Sequence, residues 1–482
     1  MNGEPRGGIA RLHADGTLER LATFNPGLGA NGGVLGLAVQ PDGKIVLGGE
    51  FTSFDGQPRN GIVRLQADGI LENTNTFNPG AGLGGENPAA FCVVVQPDGK
   101  ILLGGYFTTV DGLPRHRIVR LLPDGSVEGT NTFNPGQAAD DAVSSIAIQA
   151  DGKLLLAGYF TAVNDLPRGG FARLLPDGAV EGTEAFNPGL GVEGYAAGVT
   201  LDAGGRIFVV GGFTGVDGQP RTGIARLVND AAIRTLTVSN RVRLDWRRGG
   251  SGPELEQVRF ELSTNNGSGW SEIGNGVRVL GGWTCAGLDL PVRGSVRVRG
   301  RTFGATFSGS SGVVADRTDF DFSPRATLAN VLAELIALRA GVTNRVDARR
   351  LDVATKHLTR SLATNVWETE TRLTRKLGHR AFGNARLTAQ VLCRLIRSET
   401  SQLSKPALQA VIDRIFEIQR GLAELAIDEA RTAGASSEAI ARAERHLQRG
   451  DEKAAAGKCY RGVYDYGLAW HRARHAKLPS TR

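Results

Sequence analysis

Residues 96–136, QPDGKILLGGYFTTVDGLPRHRIVRLLPDGSVEGTNTFNPG, decide the fold because the chain repeats them. The stretch occurs three times nearly complete, a fourth time in worn form, and once as a partial copy at the N-terminus. The Phe-Asn-Pro-Gly tetrapeptides begin at Phe24, Phe77, Phe133 and Phe186, at spacings of 53, 56 and 53 residues. From Gln40, Gln96 and Gln149 to the next such Phe is always 37 residues, so the length difference sits wholly in the loop GAGLGGENPAA after Phe77. A body of fixed length with one variable loop is how a structural unit with one tolerant surface looks.

Within each unit, four strands are expected between turn signals. The first is apolar (Val34 to Val39, Phe91 to Val95, Val143 to Ile148) and is followed by Asp-Gly at Asp42, Asp98 and Asp151, which suits a two-residue turn needing positive φ. The second (Ile45–Phe51, Ile101–Phe107, Leu154–Phe160) is almost wholly apolar, as for a strand buried on both faces. Its Gly pair or Ala-Gly lets another backbone approach closely. The third alternates, with Ile62 and Arg64 on one face and Val63 and Leu65 on the other. A second Asp-Gly, at Asp15, Asp68, Asp124 and Asp177, leads into a fourth strand ending at the Phe.

Four strands in about 53 residues, repeated without helices, is the pattern of propeller blades. The elements QPDGKI, LLGG, FT, VDG, PR, RIVRL, PDGS and FNPG resemble the delta-60 repeat of bacterial proteins, over roughly residues 1–230. The resemblance implies a β-propeller-like fold and a secreted or cell-surface interaction scaffold rather than a known chemistry. Copy four has Gly204-Gly205, and copy three Asn164-Asp165, where other copies have Asp-Gly. Met1–Arg6 aligns with Phe54–Arg59, so the first copy begins in mid-repeat. The expectation is that upstream blades and a signal peptide precede this reading frame, leaving an unpaired edge, rather than that the N-terminal strands close the ring.

After residue 231 the pattern changes. Val242/Leu244/Trp246, Val258/Phe260/Leu262, Val277/Val279 and Val296/Val298 alternate with charged residues, which predicts a small antiparallel sandwich over 232–316. It is similar to immunoglobulin-like or fibronectin-type modules, without their Cys–Trp–Cys signature. Residues 317–326 read as a linker. Residues 327–482 read as a basic helical domain, with one helix from Leu328 ending at Gly341 and another opening at Ser404-Lys405-Pro406. A third starts at Ser436 or Ser437, and Gly450 separates it from a last stretch resembling a tetratricopeptide-like hairpin through Ala455, Gly457, Tyr460, Tyr464 and Trp470. The fold class is thus multidomain: propeller-like all-β repeats over 1–231, four full units and a half; a β-sandwich; and an all-α C-terminal domain.

Charge divides with the domains. Residues 1–231 carry 16 basic and 24 acidic side chains, residues 232–326 carry 13 and 9, and residues 327–482 carry 27 and 16. The basic excess therefore belongs to the tail. Its cations are dispersed among acids with no nucleic-acid-binding signature, so specific nucleic-acid binding is not expected. Cys92, Cys285, Cys393 and Cys459 show no metal-ligand spacing, and a Cys393–Cys459 disulfide remains open. No apolar run reaches the ~20 residues of a membrane span.

No convergent set of acids, bases or nucleophiles stands out, and no cofactor motif. Asp55, Asp111 and Asp217 are weak metal candidates, offering one oxygen per blade but lacking a calcium-loop pattern. Arg64, Arg120, Arg173 and Arg226 recur once per unit, which argues for a structural Asp–Arg contact between neighbours. The Pro-Arg arginines Arg6, Arg59, Arg115, Arg168 and Arg221 recur likewise. The expected function is a non-enzymatic scaffold binding a protein or glycan through propeller loops. The alternatives are a propeller-type hydrolase or lyase with an axial site, and adhesion to acidic polymers through the basic tail.

Overall fold

The computed structural model describes residues 6–302, 312–457 and 460–476. The aligned segment Met1–Pro5 and Cys459 lie outside these. The chain divides into two compact units, one of Met1–Asp289 with Ser295–Asp319, the other of Leu290–Gly294 with Phe320–Arg482.

Each repeat of the first unit builds an antiparallel sheet in the order first–second–third strand. The first strands are Val34–Val39, Ala89–Val95, Val143–Ile148 and Val192–Leu201. The second are Ile45–Gly49, Ile101–Tyr106, Leu154–Gly158 and Ile207–Val216. The third are Ile62–Leu65, Ile118–Leu121, Phe171–Leu174 and Ile224–Leu227. The expected fourth strand shrinks to one bridge per repeat: Leu12 to Leu18, Leu65 to Leu71, Leu121 to Val127, Leu174 to Val180. The chain curls at once afterwards, with Phe77 N–H donating to Asn73 O at 3.1 Å, so pairing cannot propagate. A short hairpin between the second and third strands carries the Val-Asp-Gly signal. Asp55 and Gly56 both sit at positive φ (49° and 67°), the geometry of a type I′ turn.

The second strands are buried throughout in copies one and three. Glycine makes this possible: a Cβ on Gly104 would stand 2.7 Å from Cys92 Sγ and 2.8 Å from Val143 Cγ1 of the next copy. Successive repeats thus close on each other through side-chain-free positions. All four residues of the third strands at Ile62, Ile118 and Phe171 are buried, so the expected alternation of faces does not translate into alternating exposure. Each inner repeat has a neighbour on either side. Copy four, followed by the sandwich instead of another repeat, leaves Val210 43% and Ile224 58% exposed.

The sandwich pairs two four-stranded sheets. Leu244, Trp246, Phe260, Val296 and Val298 are fully buried between them. Val242, Val277 and Val279 are exposed instead, because Val242 lies in a turn and the Val277–Val279 strand is a sheet edge. The arginines of the outer face are largely paired: Arg243 with Asp245 at 2.7 Å, Arg297 with Glu261 at 2.6 Å, Arg278 with Glu254 at 2.6 Å. The last strand runs Val313–Asp321, and Ser323 already caps a helix from Pro324. The segment read as a linker is a strand passing directly into a helix.

The second unit contains α1 (Pro324–Ala340), α2 (Arg345–Ser361), α3 (His379–Ile396), α4 (Lys405–Thr432), α5 (Ser437–Ala455) and α6 (Arg461–Arg474). Ser404 and Ser436 accept from Ala407 N and Ala439 N as N-caps. Leu328, Val331, Leu335, Ile415, Tyr466 and Trp470 belong to one core, while Ile336 is exposed. Gly450 does not end a helix. It lies inside α5, where a Cβ would run into the Tyr466 ring, so its role is close packing of α6. Cys393 is disulfide-bonded, and Cys92 and Cys285 are free and buried. Burial pushes the Cys92 thiol up to about 12, which leaves it inert. No helix among the described residues is long and apolar enough to cross a membrane.

Candidate functional site

The residues that recur in every repeat are occupied by structural work. Asp42, Asp98 and Asp151 cap their own turns, accepting from Lys44 N, Lys100 N and Lys153 N at 3.1, 3.2 and 3.1 Å. Asp55, Asp111 and Asp217 reach back to the preceding Phe-Asn-Pro-Gly loop and accept from Leu28 N, Ala81 N and Leu190 N at 2.9, 2.9 and 3.1 Å. Among the described residues no group of three or more His, Cys, Asp or Glu is placed to hold a metal ion.

The strand arginines pair with glutamates of their own repeat, not with aspartates of a neighbour. Arg64 meets Glu72 and Arg120 meets Glu128 at 2.5 Å, and Arg173 meets Glu181. The backbone dictates this: Glu72, Glu128 and Glu181 donate N–H to Arg64, Arg120 and Arg173 O, so the side chains are cross-strand neighbours. Lys44, Lys100 and Lys153 bind the other carboxylate oxygen. The guanidiniums lie 4.5, 4.4 and 4.3 Å from the ring centres of Phe77, Phe133 and Phe186. Their remaining Nη1 atoms cross to the next repeat, Arg64 to Pro123 O at 2.6 Å and Arg120 to Pro176 O at 2.7 Å. Only Arg173 also approaches an aspartate, Asp230 at 3.2 Å. Arg226 is exposed. Arg6, Arg115 and Arg168 of the Pro-Arg series donate to Glu19, Glu128 and Glu181 O. Burial pushes the Glu128 carboxyl up, but the hydrogen bonds from Arg120 and Lys100 outweigh it and hold it at about 2.

The positions that depart from the repeat gather at the end of the sheets where the second strands finish. The position after the Gly pair is Glu50, Tyr106, Tyr159 and Gly212 in the four copies. Facing Gly212 across the fourth sheet is Tyr195, where the other copies have Gly33, Ala89 and Ala142. Gly212 lacks a side chain, so the Tyr195 ring lies over it and stacks on Tyr159 of the preceding repeat. The ring centres are 4.6 Å apart with planes at 12°, and both tyrosines are exposed, 47% and 39%.

Copy two departs differently. Gly8, Gly61, Gly170 and Gly223 occupy one equivalent turn at φ 65–78°, and in copy two that residue is Arg117 at φ 62°. A side chain there carries backbone strain. The strained residue sets its guanidinium 4.0 Å from the Tyr106 ring centre. Glu50, Arg117 on Tyr106, and Tyr159 on Tyr195 thus run across successive repeats at one end of the array. The variable loops after Phe77, Phe133 and Phe186 feed the first strands at this same end. Such a row presents aromatic faces and charges in series.

At the other end of the strands, the turn of copy three is covered. Gln149 bridges to Pro253 of the sandwich, Glu254 N donates to Ile148 O at 2.9 Å, and Ala150 N donates to Gly252 O at 2.7 Å.

No curated protein matches the chain. Four stretches of the repeats, residues 40–74, 96–130, 149–183 and 205–230, match the family model described as a domain of unknown function (DUF5122), beta-propeller.

Proposed function

We propose that the repeat array is a recognition module that binds an extended glycan along the row from Glu50 to Tyr195. The exposed, near-parallel stack of Tyr159 on Tyr195 carries the reading. Flat aromatic faces pack against the C–H faces of sugar rings, and an aromatic pair left exposed keeps a large amphipathic surface in water without a folding benefit that requires it. Arg117 and Glu50 supply a donor fork and an acceptor for hydroxyl groups in the adjoining repeats. The strain accepted at Arg117, where the four sister positions are glycine, supports a role beyond packing. Placement at the cell surface or outside the cell is part of the same reading.

The test is a glycan array probed with the intact protein, followed by Tyr195→Gly and Arg117→Gly, which copy what sister repeats carry. Loss of the array signals in both variants, at unchanged melting temperature, supports glycan recognition along this row. Signals retained in both variants, or a folded protein that binds peptides and no glycan, overturn it.

A further inference from the structure

The helices of the second unit do not treat their cations alike. On α4, Arg420 pairs with Asp451 at 2.8 Å and Arg431 with Glu444 at 2.7 Å, and Arg414 pairs with Glu334. On α2, RVDARRLDVATKHLTRS, the outward cations have no such partners. Arg345, Arg349, Lys356 and Arg360 are exposed, and none of the four forms an ion pair among the described residues. Both acids of the helix are engaged elsewhere. Asp347 is 1% exposed and accepts from Gln402 N at 3.0 Å, and Asp352 accepts from Arg339 Nε at 2.8 Å. α3, joined to α2 where Thr388 Oγ1 donates to Ala354 O at 3.2 Å, contains no acid.

The four cations form a stripe. At α-helical spacing, positions 345, 349, 356 and 360 fall within about 60° of the helix circumference and span about 22 Å of its length. The stripe lies opposite the buried face of Ala348, Leu351, Ala354 and Leu358. It is held at a local cost. Arg345 and Arg349, and Lys356 and Arg360, are like charges four residues apart, which destabilise a helix, and Arg345 stands at the positive end of the helix dipole. The negative end accounts for Arg360 alone. A line of unpaired cations has the charge and the shape to meet a linear polyanion. A membrane surface fits less well, because α2 turns its leucines inward and leaves Val346 and Val353, 53% and 44% exposed, as its apolar contribution. Single-stranded nucleic acid also fits less well, because α2 carries no Phe, Tyr or Trp on which a base could stack.

We propose that the outer face of α2 binds a segment of acidic polysaccharide, with Arg345, Arg349 and Arg360 forking onto its carboxylate or sulfate groups and Lys356 supplying a fourth positive charge. This face belongs to the second unit and does not rest on glycan binding at the tyrosine row.

The probes are a labelled heparin-type dodecasaccharide and a labelled oligogalacturonate of equal length, each titrated with the full chain. Saturable binding of at least one is expected, weakened at least tenfold as salt rises from about 50 to about 300 mM. Arg349→Gln with Lys356→Gln should weaken it at least tenfold, at an unchanged or raised melting temperature. Arg461→Gln with Arg472→Gln, the same loss of charge on α6, should weaken it less than twofold, and Tyr195→Gly should leave it unaltered. No saturable binding of either probe, an equal loss in the two double variants, or undiminished affinity in Arg349→Gln with Lys356→Gln overturns the proposal. Tighter binding to phosphatidylserine vesicles, or to single-stranded DNA of equal charge, overturns it as well. Should the first double variant fail to fold, Arg345→Gln with Arg360→Gln is judged by the same criteria.

Discussion

Arg120 and Glu128, eight residues apart in sequence, meet at 2.5 Å with both side chains nearly excluded from water (8% and 5% exposed). Arg120 also reaches Pro176 O of the following repeat. One side chain thus ties its own bridge strand, a phenylalanine ring and the next repeat together, and the same unit recurs at Arg64 and Arg173.

Breaking that pair from one side leaves a buried guanidinium uncompensated. Glu128→Gln should destabilise the first unit by about 3 kcal/mol. Arg120→Met with Glu128→Leu, which removes both charges, should cost less than the single change. Urea unfolding of the three proteins checks the order.

The same carboxylate sets an acid limit. Glu128 is held below its ordinary value of 4.5, at about 2, and Glu72 and Glu181 are lowered too, burial being outweighed by hydrogen bonds from Lys44 and Arg64 and from Arg173 and Lys153. A folded-state pKa below the unfolded one adds stability that is complete above about pH 4.5 and lost as pH falls toward 2. Stability of the repeats should therefore decline across that interval. In Glu128→Gln the decline should be shallower, as measured by urea midpoints at pH 5, 4 and 3.

Gly450→Ala decides between two readings of one glycine. As a break between helices, or as an exposed helical position, alanine would stabilise by up to about 1 kcal/mol. Because the Cβ would enter the Tyr466 ring, overpacking should instead cost about 1–3 kcal/mol. Thermal unfolding of the helical unit within the full chain gives the sign.

Arg117→Gly separates function from folding. Removing a side chain from φ 62° should leave stability unchanged or raise it by about 0.5–1 kcal/mol, while glycan binding falls. A variant that both unfolds more easily and binds normally contradicts the assignment.

Much of this architecture was open to reading in the sequence, for a physical reason. Asp-Gly and Asn-Asp turns need positive φ, and the structure puts Gly43, Gly99, Asn164 and Asp165 there. The buried second strands announced themselves as unbroken apolar runs. Helix starts at Ser404 and Ser436 followed from capping chemistry. The glutamate partners of the recurrent arginines, Glu19, Glu72, Glu128 and Glu181, recur just as regularly, but a short strand of apolar residues hides a cross-strand carboxylate whose pairing only the backbone register reveals. Arg117 was visible as the one non-glycine in a column of glycines. The Tyr159–Tyr195 stack was not, since it forms only when two repeats close together across 36 residues of chain. Val277 and Val279 misled because alternation does not tell an edge strand from a central one.

The most direct measurement is the affinity of the strongest glycan found on the array for the unaltered protein and for Tyr195→Gly. Tyr195 stacks on Tyr159 at the surface, and glycine is what the first copy already carries at Gly33. The prediction is at least a tenfold loss of affinity with the melting temperature unchanged. Undiminished binding by Tyr195→Gly would contradict recognition along the tyrosine row.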